Sequence, residues 1–252
     1  MCTLVILRRP HHHWPLLLAA NRDELVARPA RPPGRHWPDR PEVIAGYDEI
    51  GGGSWLGIND HGLVAAVLNR TGSLGPAASR RSRGELVLEA LDHAEASSAA
   101  GALADLYPAA YRPFNLVVAD PRAAYWLRHG DDGEVRVHPI AEGLHLLADS
   151  ELDDPQHTRI RRFLPLFRQA PVPDPEQNAW DAWIALLQQR GDATGPGMNL
   201  ELSLPEGRFA SVASSLIAVP AYPGFAQPPS WLHAQGAPDR VPFAPVDLTR
   251  RP

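Results

Sequence analysis

Two apolar runs open the chain. Cys2–Arg8 and Leu16–Asn21 are rich in Leu and Val with almost no polar interruption, the pattern of strands buried on both faces. They are joined by Arg9-Pro10-His11-His12-His13-Trp14-Pro15, so they predict an antiparallel hairpin. Such a hairpin returns the end of its second strand to the start of its first. Asn21-Arg22-Asp23-Glu24 is thereby brought beside Cys2.

Further along, residues 25–43 are rich in Arg and Pro. Proline removes donors and fixes φ, so the stretch predicts extended, irregular coil. Ser54–Asn59 and Leu63–Asn69 predict a hairpin turning at Asp60-His61-Gly62. Ser82 and Glu85 stand at capping-box spacing before an apolar run, predicting a helix over 83–93. An Ala-rich helix follows, from Ser97 or Ser98 to Leu106. Phe114–Ala119, Ala124–Leu127 and Val135–Ile140 predict a meander, with turns at Asp120-Pro121 and Asp131-Asp132-Gly133, and Leu144–Ala148 a further short strand. A helix opened by Asp153-Asp154-Pro155 is expected to run to Arg168, interrupted by Pro165. A second, over Asn178–Gln189, aligns Trp180, Trp183, Ile184 and Leu187 as a core-facing stripe. Residues 191–208 read as a Gly-rich loop, Ser211–Val219 as the last strand, and 220–252 as a Pro-rich segment that wraps the surface or binds a partner. Strands, then helices, then a late strand predict an α+β domain of antiparallel sheets under helices. Its 252 residues are most simply one domain, though the length allows two.

Composition narrows the chemistry. Hydrophobic residues make up 44% of the chain, enough for a large core and against wholesale disorder. The net charge of −5 offers no basic footprint for nucleic acid. All 24 basic residues are arginine, which excludes Schiff-base lysine chemistry and the lysine of a phosphate-binding loop. Gly51-Gly52-Gly53-Ser54 is therefore not a nucleotide loop of that kind. One cysteine excludes an internal disulfide and any multi-cysteine metal site. Three adjacent histidines, His11–His13, do not converge easily on one ion, because neighbouring extended side chains alternate sides. They are read as a solvated loop tip, with no metal site. The apolar run Trp14–Ala20 is too short to span a bilayer and leads into Asn21-Arg22-Asp23-Glu24 rather than a small-residue cleavage site. The expectation is a soluble, cytoplasmic protein with no membrane span.

The lone cysteine sits at position 2. Removal of Met1, the general fate of a methionine before a small residue, makes Cys2 the N-terminus. One residue then carries a thiol and a free α-amine, with ordinary pKa values of about 8.5 and about 7.7–8.0. A nucleophile and its own proton acceptor result.

Met1-Cys2-Thr3-Leu4, then a strand ending in Asn21-Arg22-Asp23-Glu24, then Gly51-Gly52-Gly53-Ser54-Trp55-Leu56-Gly57-Ile58-Asn59, resembles the NRDE family. That family includes the transport and Golgi organisation protein 2 group and is similar in turn to cysteine-type N-terminal-nucleophile (Ntn) hydrolases, such as penicillin V acylase and bile salt hydrolase. The match is strongest over residues 1–70. The resemblance implies the four-layer αββα sandwich of Ntn hydrolases, a Cys2 nucleophile, Arg22 and Asp23 beside it, and Asn69 as an oxyanion donor. Arg22 would lower the thiol pKa, and Asp23 would hold the α-ammonium. A local ion pair is the plainer role for Arg22 and Asp23. Asn21, Glu24 and Trp55 would neighbour the substrate.

Two positions depart from the family pattern. Its Ser-Asn pair is Ala148-Asp149 here. An ionised Asp149 would repel an oxyanion unless protonated or turned away. Its Gly-Thr-Arg-(Ser/Cys)-Ser-Thr run is Ala210-Ser211-Val212-Ala213-Ser214-Ser215, with Val212 in the place of the arginine. Loss of an oxyanion donor costs ~10²–10³ in rate. Two readings of function stay open: a Cys2 hydrolase of small, partly apolar amides, which needs no cofactor, and a non-catalytic carrier of haem or of a lipid or acyl-CoA ligand. A haem carrier needs an axial donor, from His11–His13, His36, His61 or Cys2. A purely structural interaction module is a third. The sequence is silent on oligomeric state.

Overall fold

A computed structural model describes residues 2–249 other than 76, 131, 194 and 223–226. Met1 and Asp131 of the expected turn thus lie outside the described residues, as does part of the Pro-rich 220–252 segment. The chain runs through β1 (Thr3–Arg8), β2 (Leu16–Leu25), β3 (Ala30–Gly34), β4 (Val43–Asp48), β5 (Leu56–Asn59) and β6 (Val64–Asn69). Helices α1 (Gly84–Leu91) and α2 (Ala96–Ala104) follow, then β7 (Phe114–Ala119), β8 (Ala124–His129), β9 (Val135–Pro139) and β10 (Gly143–Leu147). The last part holds α3 (Thr158–Gln169), α4 (Asp181–Gln188), β11 (Glu201–Leu204), β12 (Gly207–Val219), β13 (Ser230–Ala234) and β14 (Ala244–Pro245).

These elements form two compact units, one of residues 1–27 and 142–246, the other of residues 28–141 and 247–252. The first unit holds an antiparallel sheet in the order β10-β1-β2-β12-β13-β14, with β11 paired to β12. The opening hairpin forms as expected, pairing Thr3 with Asn21 and Leu7 with Leu17. One face of this sheet, carrying Val5, Leu7, Leu17, Ala19, Leu146, Leu216 and Ala218, packs with Phe163 and Phe167 of α3 and Trp183 and Leu187 of α4. The tryptophan stripe is core, as its helical spacing required.

The second unit orders β3-β4-β5-β6-β7-β8-β9 as a continuous antiparallel meander, its core filled by Leu86, Val87 and Leu91 of α1 and Ala99 and Leu103 of α2. The Gly-rich stretch before β5 serves packing. A Cβ on Gly53 would overlap the Gly84 backbone at the start of α1, and the Ser54 N–H donates to the Gly84 carbonyl at 3.0 Å.

Several expectations need correction. The Pro-rich stretch 25–43 contains the strand β3, which survives Pro32 and Pro33 because it lies at the sheet edge and pairs irregularly between Arg31 and Gly34; edge strands and bulges are where proline is tolerated. The strand β4 goes unpredicted. The capping box does not form: Arg83 is the N-cap, and Glu85 turns to Arg81 at 2.7 Å. Pro165 does not interrupt α3, which continues to Gln169. Pro165 is exposed, as is Arg161 four residues before it, so the carbonyl that loses its donor lies on the solvent side of the helix. Residues 191–208 are not all loop, for β11 and the start of β12 form a hairpin there. Nor is β12 the last strand, since β13 and β14 extend the sheet beyond it.

No helix among the described residues is long and apolar enough to cross a membrane. Among the same residues, no group of three His, Cys, Asp or Glu is placed to hold a metal ion.

Candidate functional site

The end of the first unit's sheet that carries Cys2 is a buried polar layer. In β2 the alternation of side chains puts Asn21 and Asp23 on the face under α3 and α4, and Arg22 between them on the other. Asn21 is fully engaged. Its amide donates to the carbonyls of Leu187 at 3.1 Å and Met198 at 3.0 Å, and its oxygen accepts from the Ser214 hydroxyl at 2.7 Å. It thus satisfies a carbonyl in the last turn of α4, which the helix itself leaves unbonded.

Asp23 is equally committed. One carboxylate oxygen accepts from the Ser211 hydroxyl at 2.5 Å, the other from Arg159 Nη1 at 3.1 Å. The same Arg159 nitrogen donates to the Thr3 hydroxyl at 2.6 Å. Both partners of this ion pair are cut off from water, with side chains 2% and 0% exposed. An ion pair so placed is weak evidence for stability, but removing either partner strands a buried charge.

A bulge makes this layer possible. Ser211 and Ser214 are three residues apart, an odd spacing that would send them to opposite faces of a regular strand. The pairing of β12 with β2 shifts between Ser211 and Ala213, so Ser211 stands opposite Asp23 and Ser214 opposite Asn21. Val212 is the inserted residue. A bulge adds one residue to one strand and reverses the alternation beyond it. The Ser-x-x-Ser of β12 is thereby matched to the Asn-x-Asp of β2.

Cys2 immediately precedes β1 and is half-buried. Its thiol points at the Asp23 carbonyl, 3.8 Å away. Burial pushes the thiol pKa above its ordinary value and the Asp23 carboxylate adds to that rise, while the bond to the Asp23 backbone and the Arg22 guanidinium pull it down. Arg22 is itself buried and stands opposite Ala213. The Glu24 carboxylate accepts from the Leu25 N–H at 2.7 Å.

Asp149 lies just past β10. Leu147 pairs with Leu4, so both Asp149 and Cys2 are two residues beyond that pair, at the same end of the sheet. One oxygen of Asp149 meets His157 Nε2 at 2.9 Å. His157 Nδ1 accepts from the Ile160 N–H at the start of α3. That bond leaves the ring proton on Nε2, which donates to the carboxylate. The carboxylate that Asp149 brings to this end of the sheet therefore meets a donor from the N-cap of α3.

The remaining expected residues belong to the second unit. Asn69 ends β6, paired with Phe114. The Trp55 ring covers Gly46, where a Cβ would overlap it. Of the histidines considered as haem ligands, His11–His13 are exposed in the β1–β2 turn. His36 packs with Trp37 and Tyr47, and His61 faces Glu42 at 3.3 Å.

Sequence reasoning missed Thr3, His157, Arg159, Ser211 and Ser214 as parts of this layer. The legible signal was the spacing Asn21-x-Asp23 against Ser211-x-x-Ser214, which only a bulge reconciles. Arg159 carried none, since its role depends on where α3 crosses the sheet.

Solved structures place the architecture in a class. An N-acylethanolamine-hydrolyzing acid amidase ortholog from Caenorhabditis elegans is similar with a TM-score of 0.55 at 11% identity, over 89% of this chain and 95% of that one. Penicillin V acylase from Agrobacterium tumefaciens is similar with a TM-score of 0.56 at 12% identity, over 93% and 83%. A conjugated bile acid hydrolase from Clostridium perfringens is similar with a TM-score of 0.54 at 10% identity, over 98% and 97%. The fold is therefore that of the Ntn hydrolases, α+β with antiparallel sheets, each unit contributing one sheet and the helices packed on it.

The particular family is narrower. The profile of the Transport and Golgi organisation 2 family matches residues 1–196, and the chain belongs to that family. It is 37% identical over 155 residues to the Transport and Golgi organization protein 2 homolog of Bos taurus and 34% identical over the same length to that of Homo sapiens. Each alignment covers 56% of this chain and 52% of the relative, so the match spans about half the length of either protein.

Proposed function

We propose that the chain is an N-terminal-nucleophile hydrolase that cleaves a carbon–nitrogen amide bond with Cys2, once Met1 has been removed. The observation that carries this reading is the thiol of Cys2 held against the Asp23 carbonyl, at a sheet end where Thr3 and Asp23 share one guanidinium. The reaction class comes from the fold relatives, which are by name an acid amidase, an acylase and a bile acid hydrolase.

Burial favours the neutral thiol, so the step needs a proton acceptor beside the sulfur. The α-amine takes the thiol proton as sulfur bonds to the carbonyl carbon. The tetrahedral oxyanion then collapses, the C–N bond breaks, and the amine leaves with that proton. Water then bonds through its oxygen to the acyl carbon, the C–S bond of the Cys2 thioester breaks, and one proton of that water passes to sulfur. Asn69 is assigned the oxyanion by the family resemblance, a role suited to a neutral amide donor.

Mass spectrometry of the purified protein, incubated with an activated acyl probe, tests the proposal. The expected result is an N-terminal peptide that begins at Cys2 and carries an acyl adduct absent from Cys2→Ala. A retained Met1, or an equal adduct in the variant, overturns it.

A further inference from the structure

We propose that Arg159 is a positioning residue for Cys2, holding the strand ends that carry the thiol and balancing the negative charge of Asp23 beside it. This deepens the hydrolase reading and rests on Cys2 as its reactive group.

Arg159 reaches the site from α3. Its Nη1 bridges the Thr3 hydroxyl at 2.6 Å and the Asp23 carboxylate at 3.1 Å. Thr3 is the residue after Cys2, and Asp23 is the residue whose carbonyl faces the thiol. One nitrogen therefore ties together the two strand ends that define where the sulfur sits. The pair is buried, so its electrostatic reach is screened far less than that of a surface pair.

Asp23 needs this partner. An unbalanced carboxylate beside Cys2 opposes formation of negative charge on sulfur, and also on an acyl intermediate. Val212, the residue inserted at the bulge beside Ser211, brings no charge. Ser211 supplies a hydroxyl to Asp23 but no positive charge. Arg159, which no local motif marks, carries the guanidinium that meets the carboxylate.

The direction of the effect separates this role from mere stabilisation. Removing the cation takes a positive charge from beside Asp23 and disfavours the thiolate. Removing the carboxylate takes away a negative charge beside Cys2 and favours it. The rate of Cys2 alkylation by iodoacetamide, followed from pH 6 to pH 10, reads both and requires no amide turnover. Arg159→Gln is expected to move the profile to higher pH and to slow alkylation at pH 7.5 about tenfold, the effect of one unit in thiol pKa. Asp23→Asn moves the profile to lower pH. The double variant D23N/R159Q, which strands neither charge, moves it back toward the unaltered protein, and Arg159→Lys falls between Arg159→Gln and the unaltered protein.

Unfolding measured on the same samples identifies any variant that fails to fold; the double variant and Arg159→Lys then decide. Shifts of the same sign for Asp23→Asn and Arg159→Gln, or unchanged profiles in folded variants, overturn the proposal. If the expected shifts occur but no acyl adduct ever forms on Cys2, the hydrolase reading fails while the positioning role stands.

Discussion

In the unit that carries Cys2, buried charged and polar side chains face one another: Arg159 with Asp23, Ser211 with Asp23, Ser214 with Asn21, His157 with Asp149. In the other unit, the arginines around the loop after β6 reach instead for backbone. Arg112 donates to the carbonyls of Gly72 at 2.9 Å and Leu74 at 2.7 Å, Arg83 to those of Ser73 at 2.8 Å and Pro113 at 3.0 Å, and Arg80 to that of Tyr111 at 3.0 Å. These bonds fasten the loop that leaves β6 after Asn69. The contrast is between a dry layer in which every group depends on a named partner and a wet clamp in which several donors share one loop. Removing one group from the first is costly because its partner is buried away from water; removing one from the second exposes a group that solvent can reach.

That difference orders the expected effects. Asp23→Ala removes one partner of a buried ion pair, and should cost about 3–5 kcal/mol in denaturant unfolding. A loss below 1 kcal/mol would mean the layer is not dry, and the comparison would fail. If Asn69 supplies the oxyanion donor, Asn69→Ala should lower turnover of an amide substrate by ~10²–10³ with binding little changed. A variant of full activity would reassign the donor. Gly46→Ala drives a methyl group into the Trp55 ring and should destabilise by about 1–3 kcal/mol. Arg112→Ala should cost only about 1 kcal/mol globally, while amide exchange over residues 72–75 speeds up. Global unfolding as severe as that of Asp23→Ala would erase the distinction between clamp and layer.

The smallest effect concerns His233, whose Nδ1 meets the Ser215 hydroxyl at 3.0 Å and whose Nε2 meets Gln235 at 2.8 Å. Burial holds its pKa below the ordinary value, with the Gln235 bond partly opposing. The unfolded chain therefore takes up a proton near the ordinary value of about 6.5, before the folded one does, and stability falls as pH drops through that point. His233→Gln should show a smaller loss of Tm between pH 7 and pH 5 than the unaltered protein. An equal loss would assign the acid sensitivity to other groups.

Much of the fold was legible because its signals are local. The opening hairpin, the β5–β6 hairpin, α1, α2, α4 and the β7–β9 meander follow from runs of apolar residues and from turn residues such as Gly62, which has φ +81°. The edge strand β3 was not, because Pro32 and Pro33 argue against a strand unless its outer side is known to be unpaired. The strands β11, β13 and β14 are short, and β11 and β14 are largely exposed, so too few apolar positions announce them. Pro165 misled for the same kind of reason: its cost depends on whether the freed carbonyl meets water, which only the placement of α3 reveals.

The sequence by itself determined that a lone thiol at position 2 would meet the polar end of the next strand, since an antiparallel hairpin leaves no other arrangement. It also carried the family, through Cys2, Asn21-Arg22-Asp23-Glu24 and the Gly-rich stretch before Trp55. Only the tertiary structure decided who partners those residues. Arg159 and His157 lie more than 130 positions after Asp23 in the chain, and Ser211 reaches Asp23 only because of a one-residue bulge. Hydrophobic periodicity encodes which face of an element is buried; it does not encode which distant charge will share that burial. That choice is made when α3 and β12 pack, under the requirement that a carboxylate taken out of water find donors.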